Sequence, residues 1–254
     1  MISKTHPIGP LKRLWYGLFR LGSKRFRANN DLFYDAYEVR AGWESGLGNG
    51  AQLLYSMVRL IQPEVVVEIG SARGKSTCCL ALACKDNGRG KVYAIDPHMK
   101  NPWSDHQTTG DNLEFLLGKV KAYGLQDQVE VIRAISPDAA KGWNRPIDLI
   151  FIDGDHTYEG VKADFELFQP FFSEKALVVF HDTTWNYSDW EKTRAEQQRS
   201  EEMGVPIFMD ELRKAGYQSI TFNYGPGITI FDPRVGGHDF LAGKGWPAMQ
   251  NNQR

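Results

Sequence analysis

Residues 65–74 read Val65-Val66-Val67-Glu68-Ile69-Gly70-Ser71-Ala72-Arg73-Gly74. An apolar run of β-formers ends in an acid and turns on glycines. It then passes at once into a helical pattern, Lys75 to Ala83. Glycine lets a backbone approach a ligand closely and adopt positive φ. The helix N-terminus behind it offers unpaired N–H groups. Strand, glycine turn and helix in this order make a cofactor cradle. Taken alone, the same residues also make an ordinary strand–helix turn.

Three ligands compete for the cradle. A phosphate-binding loop needs four residues between its first glycine and Gly-Lys-Ser, and here only three separate Gly70 from Gly74-Lys75-Ser76. A dinucleotide fingerprint needs a second glycine that admits the pyrophosphate, and that place is held by Ala72. S-adenosylmethionine (SAM) carries no phosphate. It has a cationic amino-acid end that Glu68 can help to orient, directly or through the turn backbone.

The neighbouring segments strengthen the third choice. Val92–Asp96 reads as a second strand and ends in Asp96, about 25 residues after the turn. A doubly wound sheet places a carboxylate there on the ribose hydroxyls. From residue 50 onward strand-like and helix-like segments alternate. Helices are expected near residues 50–61, 75–85, 111–122, 158–172 and 206–215, with a short one after Ser136 as N-cap. Strands are expected at 65–69, 92–96, 129–133, 147–152 and 176–180. A closing hairpin joins 219–223 to 227–231 through Tyr224-Gly225-Pro226. The expectation is an α/β fold: a doubly wound, mostly parallel seven-stranded Rossmann-like sheet with a C-terminal antiparallel hairpin strand.

Such sheets bind ligands beyond the carboxyl ends of their strands. The strand ends here are Glu68/Gly70, Asp96, Ser136, Asp153-Gly154-Asp155-His156 and His181-Asp182. Asp153, His181 and Asp182 form a candidate metal set. Carboxylates and water suit Mg²⁺ or Ca²⁺, and an imidazole admits Mn²⁺ or Zn²⁺. Asp155 and His156 are the candidates to accept a proton from a substrate hydroxyl.

Composition limits the alternatives. The 254 residues carry a net charge of −1, which gives no general reason to expect nucleic acid as a partner. Cys78, Cys79 and Cys84 have neither disulfide nor zinc spacing and read as small apolar residues. No run approaches the roughly 20 apolar residues of a membrane span, and a cytoplasmic protein is expected. Residues 1–27 hold seven basic side chains and no acid, interleaved with apolar residues at helical spacing. They read as a basic amphipathic helix that covers the core or a second subunit, with peripheral membrane contact as a secondary role. The expected division is a helical extension at 1–49, a main domain at 50–235 and a tail at 236–254, in a homo-oligomer. Trp103, Trp185, Tyr187 and Trp190 are candidates to line an acceptor pocket.

The ordered strand ends resemble the class I SAM-dependent methyltransferases. The pattern is similar to the bacterial branch with D-G-D-H-x-Y and H-D motifs, akin to catechol and antibiotic-sugar O-methyltransferases. The likeness covers about residues 50–232. It implies that Glu68, Gly70 and Gly74, with Ser71 and Ala72 in the turn, hold the methionine part of SAM. Ser76 then reaches its carboxylate, Asp96 the ribose and Ser136 the adenine edge. Asp153 falls at the first metal ligand, Asp155 at the base of the sugar enzymes and His156 at the lysine base of the catechol enzymes. His181-Asp182 departs from the family's Asp-Asp or Asp-Asn. Either His181, or in a slipped register Asp182 and Thr183, supplies the next ligands. The expected activity is O-methylation of a small-molecule hydroxyl, on a sugar or an aromatic ring, assisted by a divalent ion such as Mg²⁺. The alternatives are a metal-dependent hydroxylase on the same scaffold and a non-catalytic SAM-binding module.

Overall fold

The computed structural model describes residues 43, 45–48, 50–99, 112–184, 203–223 and 225–234. The basic N-terminal segment, the C-terminal tail and Trp103, Trp185, Tyr187 and Trp190 lie outside them. The strands are β1 (Val65–Ile69), β2 (Lys91–Ile95), β3 (Val129–Ile132), β4 (Ile147–Ile152), β5 (Phe172–His181), β6 (Ser219–Phe222) and β7 (Ile228–Phe231). The helices are α1 (Gly50–Ile61), α2 (Lys75–Asn87), α3 (Asn112–Ala122), α4 (Ser136–Lys141), α5 (Tyr158–Phe168) and α6 (Val205–Lys214).

The strands form one seven-stranded sheet in the order β3-β2-β1-β4-β5-β7-β6. Strands β1 to β5 pair in parallel, and β7 pairs antiparallel with both β5 and β6. Chain direction across the sheet reverses between β1 and β4, the switch point where open α/β sheets bind ligands. Register puts the strand ends in one row, because Ile69 pairs with both Ile95 and Ile152, and Ile152 pairs with Phe180. Gly70, Asp96, Asp153 and His181 therefore leave the sheet side by side.

Alternate strand residues feed two cores. Val66, Leu149, Phe151 and Val179 pack under α1, α2 and α3, where Leu54, Cys79 and Leu116 are buried. Val67, Ile150, Ile152, Val178 and Phe180 pack against α4, α5 and α6, around Phe165 and Phe208. All three cysteines are free and buried among apolar neighbours.

Asp148, near the start of β4, ties the foot of the sheet. Its Oδ2 accepts from Glu64 N at 2.7 Å and Val65 N at 3.3 Å, and its Oδ1 from Ser173 Oγ at 2.8 Å. Burial pushes this carboxyl's pKa up, but the hydrogen bonds outweigh burial and hold it below the ordinary value.

Most boundaries shift by a residue or two from the sequence expectation, and three differences have a local physical reason. The helix expected to reach residue 172 stops at Phe168, because Pro170 sits in a 3₁₀ turn, Gln169–Phe171. Strand β5 consequently starts at Phe172 rather than at residue 176. Ile135, not Ser136, holds the N-cap of α4, and Ser136 is its first residue.

Candidate active site at the carboxyl rim

The cradle is built around Gly70. Its φ is +88°, and a Cβ there would lie 2.0 Å from the backbone oxygen of Asp153. No other residue fits. Gly70 N donates to Ile95 O and Asp153 N donates to Ile69 O, each at 2.9 Å. The turn is thus pinned to the ends of β2 and β4. Gly74, also left-handed, opens α2 against the Leu116 side chain.

Glu68 is fully buried at the end of β1. Its Oε2 accepts from Thr77 Oγ1 at 2.5 Å, while Oε1 is buried without a hydrogen-bond partner. Burial carries its pKa up to about 7; the Ser76 and Thr77 hydroxyls pull down, and Asp153 and Asp96 add to the rise. Ser71 Oγ is likewise buried and unpartnered. Asp96 accepts from Ala72 N at 2.8 Å and from His98 N at 2.6 Å. It therefore buttresses the glycine turn from the neighbouring strand. These unspent acceptor and hydroxyl atoms beside a turn without room for a Cβ fit the amino-acid end of SAM.

The next two strand ends converge. Asp153 Oδ1 lies 3.0 Å from His181 Nδ1 and 3.5 Å from His156 Nε2. Asp182 Oδ2 lies 2.9 Å from His156 Nε2 and 3.4 Å from His181 Nδ1. Consecutive strand side chains ordinarily point to opposite faces. His181 and Asp182 both reach the cluster because Asp182 is left-handed, with φ +57°. Aspartate is among the residues that tolerate this region. Both registers considered in the sequence thus meet at one place, and Thr183 instead accepts a hydrogen bond from Thr229 Oγ1 at 2.8 Å.

The cluster's charges support one another. Burial by itself lowers the pKa of each histidine, but the flanking carboxylates outweigh it. Hydrogen bonds to Asp153 and Asp182 carry His156 up to about 10, and the charges of the same two acids raise His181 well above its usual value. Burial pushes Asp153 and Asp182 up, and the imidazoles overcome it and hold both below the ordinary carboxylate range.

A divalent ion fits this chemistry. One donor atom from each of Asp153, His181 and Asp182 lies within 4.8 Å of the other two. Asp182 Oδ1 is buried without a hydrogen-bond partner.

Asp155 is set apart from the cluster. Its Oδ1 accepts from Thr157 N at 2.9 Å, at the entry to α5. Its carboxyl also fills the space where a Cβ on Gly160 would stand. Thr157, the N-cap of α5, accepts from Gly160 N at 3.0 Å. The structure thus separates the two base candidates, with His156 inside the cluster and Asp155 at a helix cap.

Asp164 was not singled out in the sequence. It is buried on the inner face of α5, and its Oδ2 would lie 3.0 Å from a Cβ on Gly154. Burial carries it up to about 7, against a hydrogen bond from Ser136 that pulls down. Ser136 and Asp164 therefore stand together behind the Asp153–His156 loop. A readable signal existed: Asp164 shares a helical stripe with Val161, Phe165 and Phe168.

The sheet order is that of the α/β Rossmann-like methyltransferase fold. Residues 67–183 match the model of a family described as a methyltransferase domain. Among solved structures, the Podospora anserina methyltransferase PaMTH1, bound to S-adenosylhomocysteine (SAH), aligns with a TM-score of 0.59 at 13% identity, over 91% of this chain and 98% of that one. The Bacillus cereus O-methyltransferase in complex with SAH gives 0.55 at 15%, over 83% and 92%. TomG of Streptomyces achromogenes, an O-methyltransferase of tomaymycin synthesis in complex with SAM, gives 0.51 at 21%, over 72% and 79%. At these identities the likeness is one of fold. The uncharacterized protein y4gI of Sinorhizobium fredii is 30% identical over 133 residues, 50% of this chain and 14% of that protein. The uncharacterized protein R132 of Acanthamoeba polyphaga mimivirus is 27% identical over 124 residues, 46% of this chain and 50% of that protein. The chain thus spans half or less of these relatives' lengths. Among the described residues, no helix is long and apolar enough to cross a membrane.

Proposed function

We propose that this chain transfers a methyl group from SAM to a hydroxyl of a small molecule, on a sugar or an aromatic ring. One observation carries the reading. The glycine turn and the carboxylate–imidazole cluster share Asp153, whose backbone fills the place of the missing Gly70 Cβ while its side chain holds His181 and His156. A donor in the cradle and an acceptor over the cluster are therefore neighbours.

Each residue has a positioning task. Glu68, Ser71 and Ser76 hold the methionine end, Asp96 the ribose, and Ser136, backed by Asp164, the adenine edge. SAM supplies an electrophilic methyl group when bound. Asp153 and His156 are the more exposed half of the cluster, each 19% exposed against 5% and 4% for His181 and Asp182. An incoming hydroxyl meets them first. Its O–H donates to the Asp153 carboxylate, and the His156 imidazolium faces the charge that develops on the oxygen. SAM held in the cradle would supply its methyl group to the hydroxyl oxygen and leave as SAH, and the hydroxyl proton would pass to the Asp153 carboxylate. Holding the two reactants in line contributes up to roughly 7–11 kcal/mol in ideal cases. Asp153, His181 and Asp182 are the residues that would hold a divalent ion, which supplies Lewis acidity to the bound hydroxyl.

The two-imidazole cluster also favours a second reading, an iron-dependent hydroxylase with a two-histidine-one-carboxylate centre. A screen of sugars and phenols with methyl-labelled SAM, with and without EDTA, separates the two. Labelled product supports methyl transfer, and oxygen-dependent product without label supports the second. SAH at a hundredfold excess over Kd should stabilise the protein by about 2.7 kcal/mol, and Asp96→Ala should weaken that shift. Stabilisation by NADH or ATP and not by SAH would defeat the proposal.

A further inference from the structure

Lys75 opens α2 in an unfavourable place. It is only 8% exposed. Among the described residues its ammonium has neither an ion pair nor a hydrogen bond. A cation also stands at the wrong end of a helix there, because the free N–H groups of the first turn already make that end positive. Burial pushes its pKa below the ordinary lysine value. A buried charge is costly unless it is paired.

The neighbouring groups do not pair it. Lys75 shares a face of α2 with Cys79, one turn on, and burial pushes that thiol up to about 12, so it stays neutral. Glu68, the carboxyl of the cradle, accepts from Thr77 Oγ1, and burial carries its pKa up to about 7. An ammonium partner would have pulled it the other way. Arg73, two residues back, is engaged elsewhere. Its guanidinium lies 4.0 Å from the centre of the Phe115 ring and donates to Asn112 Oδ1 at 3.5 Å.

We propose that Lys75 is the counter-ion of the cofactor's α-carboxylate, so that the cradle selects adenosyl ligands that carry a complete amino acid. This rests on the SAM reading above and goes further by naming the residue and the ligand group that it selects.

The cradle is polarised to match. Glu68 Oε1 and Ser71 Oγ are buried without hydrogen-bond partners, and both can accept from an α-ammonium. Lys75 and the N–H groups of the first turn of α2 are donors only, and they suit a carboxylate. A phosphate would satisfy Lys75 and leave the Glu68 carboxyl facing another anion. A plain alkyl amine would satisfy Glu68 and leave Lys75 buried and alone. A zwitterion satisfies both ends.

The test is calorimetric titration of the full-length protein with SAH and with decarboxylated SAH, which keeps the amine and lacks the carboxylate. The parent should bind SAH about 10- to 100-fold more tightly than the decarboxylated ligand. Lys75→Met, close in length and apolar, should lose that margin. SAH should weaken by roughly the same factor, while the decarboxylated ligand stays within a few-fold. The unliganded variant should melt no lower than the parent, since a buried unpaired charge is gone. Equal binding of the two ligands by the parent, or an undiminished margin in Lys75→Met, would overturn the proposal and leave methyl transfer from SAM standing. A variant that melts lower and loses both ligands alike would overturn it as well, because Lys75 would then be a packing residue. Failure of the parent to bind either ligand overturns the SAM reading on which the proposal rests.

Discussion

The two halves of the rim handle polarity in opposite ways. At the end of β1, Glu68 Oε1 and Ser71 Oγ are buried without partners, and the Glu68 carboxyl is pushed up to about 7. At the ends of β4 and β5, four charged groups hold one another and both acids are pulled down. Asp182 is nearly as enclosed as Glu68, so burial alone does not explain the difference. What differs is the supply of counter-charge inside the protein. The cradle leaves its partners to be brought by a ligand, whereas the cluster brings its own. An enclosure with spare polar atoms and one whose charges satisfy each other therefore meet at the contact between Gly70 and Asp153.

The largest effect should come where the halves join. Gly70→Ala drives a Cβ into the Asp153 carbonyl and should remove SAH binding and lower stability by about 3 kcal/mol or more. Calorimetric titration with SAH and denaturant melts would read both losses; normal SAH affinity in this variant would break the claim that the halves share a wall.

Next comes a variant that should separate them. Asp153→Ala keeps the backbone carbonyl beside Gly70 but deletes the cluster's bridging carboxylate. Turnover should fall by about 10²–10⁴ while SAH affinity stays within a few-fold, since Glu68 and Asp96 act from other strands.

A third experiment uses pH. The folded pKa of Glu68, about 7, exceeds its ordinary 4.5. Its favourable contribution is therefore fully present below pH 4.5 and is lost as pH rises through 7. Glu68→Gln removes that dependence, so the variant should be the more stable protein above pH 7, by about 3 kcal/mol at most. The gap should close toward pH 4.5. Parallel pH–stability curves for the two proteins would show that the carboxyl is not held as described.

The smallest effect is expected at Asp155. Asp155 accepts one hydrogen bond from the N–H of the N-cap residue Thr157, so its loss should cost about 1 kcal/mol of stability and less than tenfold in turnover. A loss above a hundredfold at unchanged SAH affinity would return Asp155 to the chemistry and displace the cluster.

Much of the fold was legible because it rests on local chemistry. Almost wholly apolar strands such as Ile147–Ile152, the glycine turn after Ile69 and the Gly225-Pro226 turn each carry their own signal. Misread boundaries fell at Pro170 and at the N-cap of α4, where one residue's backbone angle decides the assignment. Site residues were legible as a row of strand ends, and Asp153, His181 and Asp182 as one group, but not the means by which the last two meet. His181 and Asp182 converge only through the left-handed angle at Asp182, which alternation does not predict. Asp155 and His156, adjacent in sequence, part company because the helix behind them recruits the first as a cap.

Asp148 carries a consequence for how this chain can vary. It staples the starts of three strands at the pole of the sheet farthest from the rim. Folding security and chemical identity are therefore lodged at opposite poles. An exchange such as His181→Asp alters the donor groups at the rim while the anchoring pole stays untouched. A lineage built on this scaffold could trade one chemistry for another in single steps, without first passing through an unfolded ancestor.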